Sequence, residues 1–435
     1  MEAAPLTNTI CIYGLGYVGL TLGISFANAG FRVVGIEVNR NILDALNADR
    51  AHFYEPKLNE MILANKKSDR FLYSERYDKS EECNVHIITI GTPLDQQGHV
   101  NLSMIKRVID SLSEYIKPTD LLILRSTVMV GTTRKIAESL KEKVGFSPKV
   151  AFCPERTIEG SAMEEIRELP QVIGGIDKES ARLAREIFSN LTKTVVVLSS
   201  PEAAEMVKLV DNVSRDTTFA LSNEIALACD HLSLSAHEIL TAGSRGYSRT
   251  KLPMPGPVGG PCLEKDTSIY AQSMSRFQPS IALEARAVNE SILDHALNFL
   301  QKKFDEFPSR IGILGLAFKG NPPTNDLRGS VAINLVRKIQ SMHAETSICG
   351  YDPFVGEGEL ELTNLVLKKM ATVREVIENS ELIFIMNKNY EFENFNFEPY
   401  LTNGVTIYDF WSQSIDFNNN YPNYICFGSH IGMAK

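Results

Sequence analysis

The chain has 435 residues, 44% of them hydrophobic and 22% charged, which predicts a globular protein of two or three domains. A formal net charge of −9 disfavours nucleic acid as a partner, because phosphate binding needs clustered Lys and Arg. No apolar run approaches the ~20 residues that cross a bilayer, and residues 1–9 lack the basic start of a signal peptide, so we expect no membrane association.

Cysteine and histidine usage argues against disulfide or metal cross-links. The cysteines are scattered, odd in number and without C-x-x-C spacing, which predicts reduced thiols in the cytoplasm. The histidines show no H-E-x-x-H or similar ligand spacing, so we expect no metal site. The cysteines are Cys11, Cys83, Cys153, Cys229, Cys262, Cys349 and Cys426.

The first 200 residues alternate short β-branched runs with helical stretches. Such alternation predicts βαβ units and a mostly parallel sheet. The predicted strands are residues 10–13, 32–36, 85–90, 121–126, 149–152 and 195–198, with helical stretches at 105–116 and 133–144 between them.

The pattern changes after residue 200. Residues 202–232 and 281–304 have the pattern of long helices, which often pair subunits, so we expect a homodimer or a higher homo-oligomer. Alternation then resumes, and the Asn-rich stretch 416–423 is expected to be irregular surface. Here the predicted strands are residues 310–314, 347–351, 382–385 and 405–408, and the predicted helices are 330–341 and 373–379.

These elements predict an α/β fold in which two Rossmann-like, doubly wound domains are joined by a helical central domain. The predicted boundaries are residues 1–200 for a dinucleotide-binding domain, 201–304 for a central dimerisation domain and 305–435 for a second α/β domain.

A G-x-G-x-x-G motif follows the first predicted strand and opens a helix that we expect to reach Ala29. Its glycines permit a tight turn, close approach to a pyrophosphate and close helix packing. Glu37 ends the next strand, where a carboxylate can bind both ribose hydroxyls and repel a 2′-phosphate, so we expect NAD. Arg40 leaves NADP open, because an arginine there could meet that phosphate. The motif residues assigned to the cofactor are Gly14, Gly16, Tyr17, Val18 and Gly19.

Two further loops follow strand ends, where open α/β sheets place ligands. One contains Thr92, and the other runs from Ser126 and Thr127 to residues 131–133. Either could serve only as a helix cap.

Charged residues with possible chemistry follow later strands. Residues 153–160 carry Glu155 and Glu159 in a loop at the same sheet edge, and Lys208 and Asn212 share one face of the long helix. Lys208 lies in an apolar stretch, and the alternative is a lysine whose stem is buried and whose ammonium reaches water.

Cys262 follows two glycines and precedes Lys265 and Asp266. A thiol is a nucleophile as the thiolate, and a nearby ammonium lowers its pKa. The alternative is a buried cysteine beside a surface Lys–Asp pair.

Together with Ala317-Phe318-Lys319 and Asp326-Leu327-Arg328, these motifs occur in one order over residues 8–353. In that order the chain closely resembles the nucleotide-sugar 6-dehydrogenases, the family of UDP-glucose and UDP-N-acetylhexosamine dehydrogenases. The resemblance implies that the first domain binds NAD and the last binds the UDP-sugar.

The resemblance also implies a four-electron oxidation of a sugar C6 alcohol to a carboxylate, with two NAD reduced. Cys262 would form a thiohemiacetal and then a thioester. Lys208 and Asn212 would stabilise the oxyanion-like states. Asp266 and Thr127 would hold a water, and either Glu155 or Glu159 would be the base in hydrolysis.

Further residues are expected to bind the cofactor or the substrate without taking part in the reaction. Lys319 and Arg328 would reach nucleotide or cofactor phosphates, and either Arg245 or Arg249 would cross a dimer to the neighbour's substrate, unless both are ordinary surface cations. The remaining cofactor contacts are Thr92, Thr127, Lys265 and Arg328. The substrate contacts are Glu155, Arg156, Lys208, Asn212, Arg245, Arg249, Gly259 and Lys319.

The stretch 255–262 is closer to the N-acetylhexosamine group, although Pro261 stands where His is common and one glycine is missing. Lys265 is retained where that group often lacks it, and Glu159 falls where UDP-glucose enzymes place a glutamate. We therefore expect a UDP-N-acetylhexosamine of the ManNAc or GlcNAc type, with UDP-glucose as the alternative. The rival activities are a two-electron hydroxyacid-type dehydrogenase and a non-catalytic sensor of NAD or nucleotide sugars.

Overall fold

The structure is a computed structural model that describes residues 9–76, 82–274, 277 and 279–430. The chain divides into two compact units, residues 1–211 with 268–277 and residues 212–267 with 278–435. The N-terminal stretch on which we based the absence of a signal peptide lies almost wholly outside the described residues. Within the described parts, every helix is too short or too polar to cross a bilayer.

The first unit is built on an eight-stranded sheet of order β3-β2-β1-β4-β5-β6-β7-β8. Neighbouring strands are parallel except β6 and β7, which pair antiparallel. The strands are β1 (Thr9–Tyr13), β2 (Arg32–Ile36), β3 (Phe71–Ser74), β4 (Val85–Ile88), β5 (Leu121–Leu124), β6 (Lys149–Phe152), β7 (Gln171–Gly175) and β8 (Val195–Val197).

Both faces of this sheet are buried. Ile10 and Ile12 on β1 belong to one apolar core, and Cys11 and Tyr13 belong to another, as the two-residue repeat of a strand requires. Helices covering the sheet are α1 (Tyr17–Asn28), α2 (Arg40–Asn47), α3 (Leu58–Lys67), α4 (Ser103–Leu112), α5 (Thr132–Val144), α6 (Ala162–Glu168) and α7 (Lys178–Phe188).

The second unit contains a six-stranded, fully parallel sheet of order β11-β10-β9-β12-β13-β14. Its strands are β9 (Arg310–Leu314), β10 (Ser347–Tyr351), β11 (Lys368–Lys369), β12 (Leu382–Ile385), β13 (Thr406–Asp409) and β14 (Tyr424–Cys426). On β9, Ile311 and Ile313 face one apolar core and Leu314 faces another, so this sheet is also covered on two faces.

Four helices form the middle of the chain: α8 (Pro201–Leu232), α9 (Ala236–Ser244), α10 (Gly260–Ser273) and α11 (Ser280–Lys303). The division of the chain falls within α8 and within α10. The C-terminal helices are α12 (Val331–Met342), α13 (Glu357–Glu361), α14 (Val373–Glu378), α15 (Tyr390–Glu393), α16 (Glu398–Thr402) and α17 (Ile415–Asn420).

The predicted fold class is confirmed, because both sheets follow the Rossmann strand order and the segment between them in sequence is helical. The domain boundaries stay a prediction. Strands β3, β7, β11 and β14 were not predicted: β3, β11 and β14 have four residues or fewer, and β7 includes two glycines, a residue type depleted in strands. The expectation of irregular structure at 416–423 was wrong: α17 forms there, and Phe417 packs on Tyr424 with ring centres 5.5 Å apart.

Candidate active site

The turn between β1 and α1 has the geometry of a dinucleotide-binding loop. Gly14 has φ +91°, and its N–H donates to the Ile36 carbonyl at 2.8 Å. A Cβ on Gly16 would meet nothing within 4 Å, whereas a Cβ on Gly19 would lie 1.9 Å from the Gly14 oxygen. The first glycine therefore makes the turn, the second leaves room for a ligand and the third permits close packing.

Glu37 is held at the end of β2 by backbone donors. Its carboxylate accepts hydrogen bonds from Leu15 N at 2.7 Å and from the N–H groups of Val38 and Asn39 at 2.8 Å. A cavity of about 210 Å³ lies beside it, lined in part by Gly14, Gly16 and Glu37. This open turn and its fixed carboxylate fit the adenosine half of NAD.

Arg40, the residue that left NADP as an alternative cofactor, already pairs with a carboxylate of the protein. Arg40 forms an ion pair with Glu75 at 3.0 Å, and both side chains are largely exposed. A 2′-phosphate would have to compete with Glu75 for this guanidinium and would meet the charge of Glu37.

The loops after β4 and β5 are joined to each other. The Thr92 hydroxyl donates to the Thr127 carbonyl at 2.6 Å. Further along the second loop, the N–H groups of Gly131 and Thr133 donate to the buried Glu205 at 2.6 and 2.7 Å. Burial raises the pKa of Glu205. The Glu205 carboxylate thus caps the N-terminus of α5, whose N-cap residue Gly131 makes no side-chain capping bond.

Glu155 is engaged in a buried ion pair that the sequence did not indicate. Its Oε2 accepts from Arg125 Nε at 3.0 Å and Nη2 at 2.5 Å, and its Oε1 accepts from the N–H groups of Arg156 and Thr157. Burial acts to raise the pKa of Glu155, but the Arg125 charge and the Thr157 hydrogen bond outweigh it and lower that pKa. Both carboxylate oxygens therefore already have partners. The only sequence feature that could have indicated this ion pair is the position of Arg125 directly after β5.

The second carboxylate of this loop, Glu159, is partly exposed. The backbone on either side of it is anchored: Ile158 N donates to Glu165 at 2.7 Å and Gly160 N donates to Glu55 at 2.8 Å. Glu55 also accepts the Tyr17 hydroxyl. The structure thus brings the dinucleotide loop and the Glu159 loop together within the first unit.

Two other predicted substrate residues lie in the first unit. Arg156 pairs with Asp211 at 2.7 Å. Lys208 on α8 is buried, 9% exposed, and its charge also helps to lower the pKa of Glu155. That depth of burial favours a functional lysine over one whose ammonium is fully in water.

In the second unit, the exposed thiol of Cys262 contradicts the buried-cysteine alternative. It lies in the first turn of α10, and Asp266 follows one helical turn later on the same face. Asp266 is fully buried, and its carboxylate accepts from Asn212 Nδ2 at 2.5 Å. The predicted Lys265 is partly exposed on the same helix.

The cysteine loop packs against the segment that contains Lys319 and Arg328. Gly260 has φ +94°, and its N–H donates to the Gly329 carbonyl at 2.7 Å. A Cβ on Gly260 would lie 2.5 Å from the Phe318 ring, and one on Gly259 would lie 2.4 Å from the Gly329 oxygen. The glycines before Cys262 thus allow close contact with another protein loop, where the sequence had indicated a ligand.

The predicted phosphate-binding cations have protein contacts as well. Lys319 Nζ lies 5.7 Å from the Phe318 ring centre, and Arg328 pairs with Asp326 at 2.6 Å. Arg245 and Arg249 are both exposed, and the Arg249 guanidinium stacks on Tyr247 at 4.6 Å. The subunit-crossing role of Arg245 or Arg249 stays a prediction.

A buried polar group in the second unit joins Asp230, His295 and His430. The Asp230 carboxylate lies 2.8 Å from His295 Nε2 and 3.3 Å from His430 Nδ1, so hydrogen bonds account for the arrangement. Burial lowers the pKa of His430 to about 4. Three such side chains could also hold an ion. The absence of a metal site stays a prediction.

Comparisons with known proteins cover most of the chain. Three models of the UDP-glucose/GDP-mannose dehydrogenase family match it: the NAD binding domain at residues 8–192, the central domain at 202–291 and the UDP binding domain at 312–413.

Individual relatives agree with these matches. The chain is 30% identical over 399 residues to a UDP-N-acetyl-D-mannosamine dehydrogenase of Campylobacter jejuni, covering 88% of this chain and 96% of that one. It is 31% identical over 399 residues to a protein of the same name from Pyrococcus horikoshii, covering 89% and 91%. The solved structure of a UDP-D-ManNAc dehydrogenase from Pyrococcus horikoshii superposes with a TM-score of 0.87 at 28% identity, covering 97% of this chain and 99% of that one.

Proposed function

Because this chain belongs to the UDP-glucose/GDP-mannose dehydrogenase family, as its ordered motifs predicted, and is an NAD-dependent UDP-sugar dehydrogenase, we propose that its substrate is UDP-N-acetylmannosamine. The observation that carries this choice is the likeness to UDP-N-acetyl-D-mannosamine dehydrogenases, which covers 88% and 89% of the chain in two relatives. The stretch 255–262 supports the same group. The GlcNAc-type sugar and UDP-glucose are the alternatives.

The proposed reaction converts the C6 alcohol to a carboxylate in two oxidations. NAD supplies the hydride acceptor for each. In the first oxidation, we assign Asp266 and Thr127 to hold a water that takes the hydroxyl proton. Asp266 is suited to this role because it is fully buried and its orientation is fixed by Asn212.

Cys262 then acts as the nucleophile. Its thiolate adds to the aldehyde carbon, and the carbonyl oxygen takes the electron pair and a proton to give a thiohemiacetal. Loss of hydride and of the hydroxyl proton gives a thioester. Lys208 and Asn212 stabilise the oxyanion-like states through an ammonium and an amide donor.

Hydrolysis of the thioester needs a base, and we assign that role to Glu159. Water adds to the thioester carbon as Glu159 takes its proton, and the C–S bond breaks to return the thiolate. Glu155 is unsuited, because its oxygens are occupied by Arg125 and by two backbone N–H groups.

We further propose a homodimer in the cytoplasm that supplies a polysaccharide precursor. Exposed apolar side chains on the helical middle segment support a subunit interface there: Leu221 is 49% exposed, Leu232 63% and Leu234 45%. Arg245 or Arg249 on the adjoining segment would then reach the neighbour's substrate.

The test is a panel of UDP-sugars with NADH counted per sugar consumed. We expect turnover with UDP-N-acetylmannosamine at two NADH per sugar, and poor turnover with UDP-N-acetylglucosamine and UDP-glucose. One NADH per sugar would indicate the two-electron rival, and binding without turnover across the panel would indicate a sensor. Cys262→Ser should stop after partial oxidation, because a serine ester hydrolyses poorly.

A further inference from the structure

Glu55 is a buried carboxylate with no role in the site described so far. It precedes α3 and is 7% exposed. It accepts hydrogen bonds from the Tyr17 hydroxyl at 2.5 Å, from Gly160 N at 2.8 Å and from Met163 N at 3.3 Å. These donors come from two segments that are more than 140 residues apart in sequence.

Tyr17 is the residue of the dinucleotide loop that makes this contact. Its ring packs on Phe53 with centres 4.7 Å apart, and its hydroxyl also receives the Gly160 N–H at 3.1 Å. Burial, the hydrogen bond to Glu55 and the charge of Glu159 all raise the pKa of Tyr17.

The Glu55 contact fixes one side of Glu159. Gly160 has φ +85°, a conformation that favours glycine, and Glu55 holds its N–H. On the other side, Ile158 N is held by Glu165 at 2.7 Å. The direction in which Glu159 leaves the backbone is therefore set by two buried or partly buried acceptors.

We propose that Glu55 is a positioning residue that binds the Glu159 loop to the dinucleotide loop and so sets the hydrolytic base relative to the cofactor site. This inference rests on the proposed function, in which Glu159 activates the water that cleaves the thioester. Loss of the Glu55 charge leaves Cys262 and Lys208 untouched. It therefore slows hydrolysis and spares the hydride transfers.

The experiment uses Glu55→Gln in the full-length enzyme with NAD and UDP-N-acetylmannosamine. We expect a first-turnover burst of NADH close to that of the unmodified enzyme, followed by a steady state slower by on the order of 10²-fold. A thioester should accumulate on Cys262, visible as added sugar-nucleotide mass after acid quenching. Glu60→Gln, an exposed glutamate on α3, is the matched control and should change neither phase.

Tyr17→Phe, assayed at saturating NAD because Tyr17 is also assigned to the cofactor, provides a second route if Glu55→Gln does not fold. It keeps the ring against Phe53 and removes the hydroxyl bonded to Glu55, so it should also accumulate thioester. A purely structural role for Glu55 would lower burst and steady state together and leave no thioester, and that result overturns the inference.

The unmodified enzyme separates this inference from the proposed function. One NADH per sugar, or no thioester on Cys262 in any of the rapidly quenched enzymes, refutes the proposed function and the inference with it. Two NADH per sugar, with a detectable thioester that is no more abundant in either variant than in the unmodified enzyme, refutes the role of Glu55 alone.

Discussion

Replacing Glu155 with alanine tests whether this carboxylate stabilises the fold or performs the chemistry. The Arg125 and Glu155 side chains are 3% and 9% exposed, so the variant leaves a guanidinium buried without its main partner. Removing one member of a buried ion pair costs about 3–5 kcal/mol of unfolding free energy. Arg125 would keep only the Cys153 carbonyl and Gln171 as acceptors.

For a unit of this size, that cost corresponds to a melting temperature lower by about 10 °C. The assay is urea unfolding followed by far-UV circular dichroism. Because the pKa of Glu155 is lowered in the folded state, its contribution is present above pH 4.5 and is lost as pH falls further. The difference between the parent protein and Glu155→Ala should therefore shrink below that pH.

Two controls make the result decisive. Glu159→Gln should change the unfolding free energy by no more than about 0.5 kcal/mol while slowing turnover about 10²–10⁴-fold. Arg125→Met combined with Glu155→Leu should recover much of the lost stability, because no unpaired charge stays buried. A Glu155→Ala variant within about 1 kcal/mol of the parent that still loses thioester hydrolysis would refute the structural assignment.

Three further predictions concern the cofactor site and the buried histidine. Gly16→Ala should fold normally but lose NAD affinity in a binding titration, because its Cβ meets nothing within 4 Å. Gly19→Ala places a Cβ 1.9 Å from the Gly14 oxygen and should melt at a lower temperature. Equal melting temperatures for the two variants would contradict this. Glu37→Ala should weaken NAD binding about 10–100-fold and reduce discrimination against NADP, and an unchanged preference would count against it. Burial lowers the pKa of His430 to about 4, so its neutral form contributes to the free energy of unfolding. That contribution, about 3 kcal/mol in all, is lost as pH falls from 6.5 towards 4. His430→Asn should reduce this pH dependence of the unfolding free energy, measured by urea unfolding.

Local patterns were sufficient for much of the fold and of the site. The dinucleotide loop, Glu37, Lys208 with Asn212, and Cys262 with Asp266 are each defined by spacing within a few helical turns or one strand–turn–helix unit. The order of these motifs identified the family, while the chemical role of each residue stays a prediction. Strands made of continuous apolar runs, such as β1, β5 and β12, were predicted for the same reason, because an apolar run that is buried on both faces needs no distant information.

Positions that depend on distant partners were missed. Strand β7 runs antiparallel to β6, and α17 is held by Phe417 against Tyr424, so neither has a strong local signal. The same holds for the buried carboxylate Glu55, whose donors lie 38 and 105 residues away along the chain.

The sequence by itself determined the α/β class and the NAD-binding domain, because both are encoded by neighbouring residues whose spacing is fixed by a strand, a turn or a helix. Only the tertiary structure separated Glu155 from Glu159. The two are four residues apart and of the same type, and they differ because a buried arginine after β5 takes one and leaves the other partly exposed. Burial and ion pairing are properties of the folded chain, so the spacing of the two glutamates in the sequence could not indicate which of them pairs with Arg125.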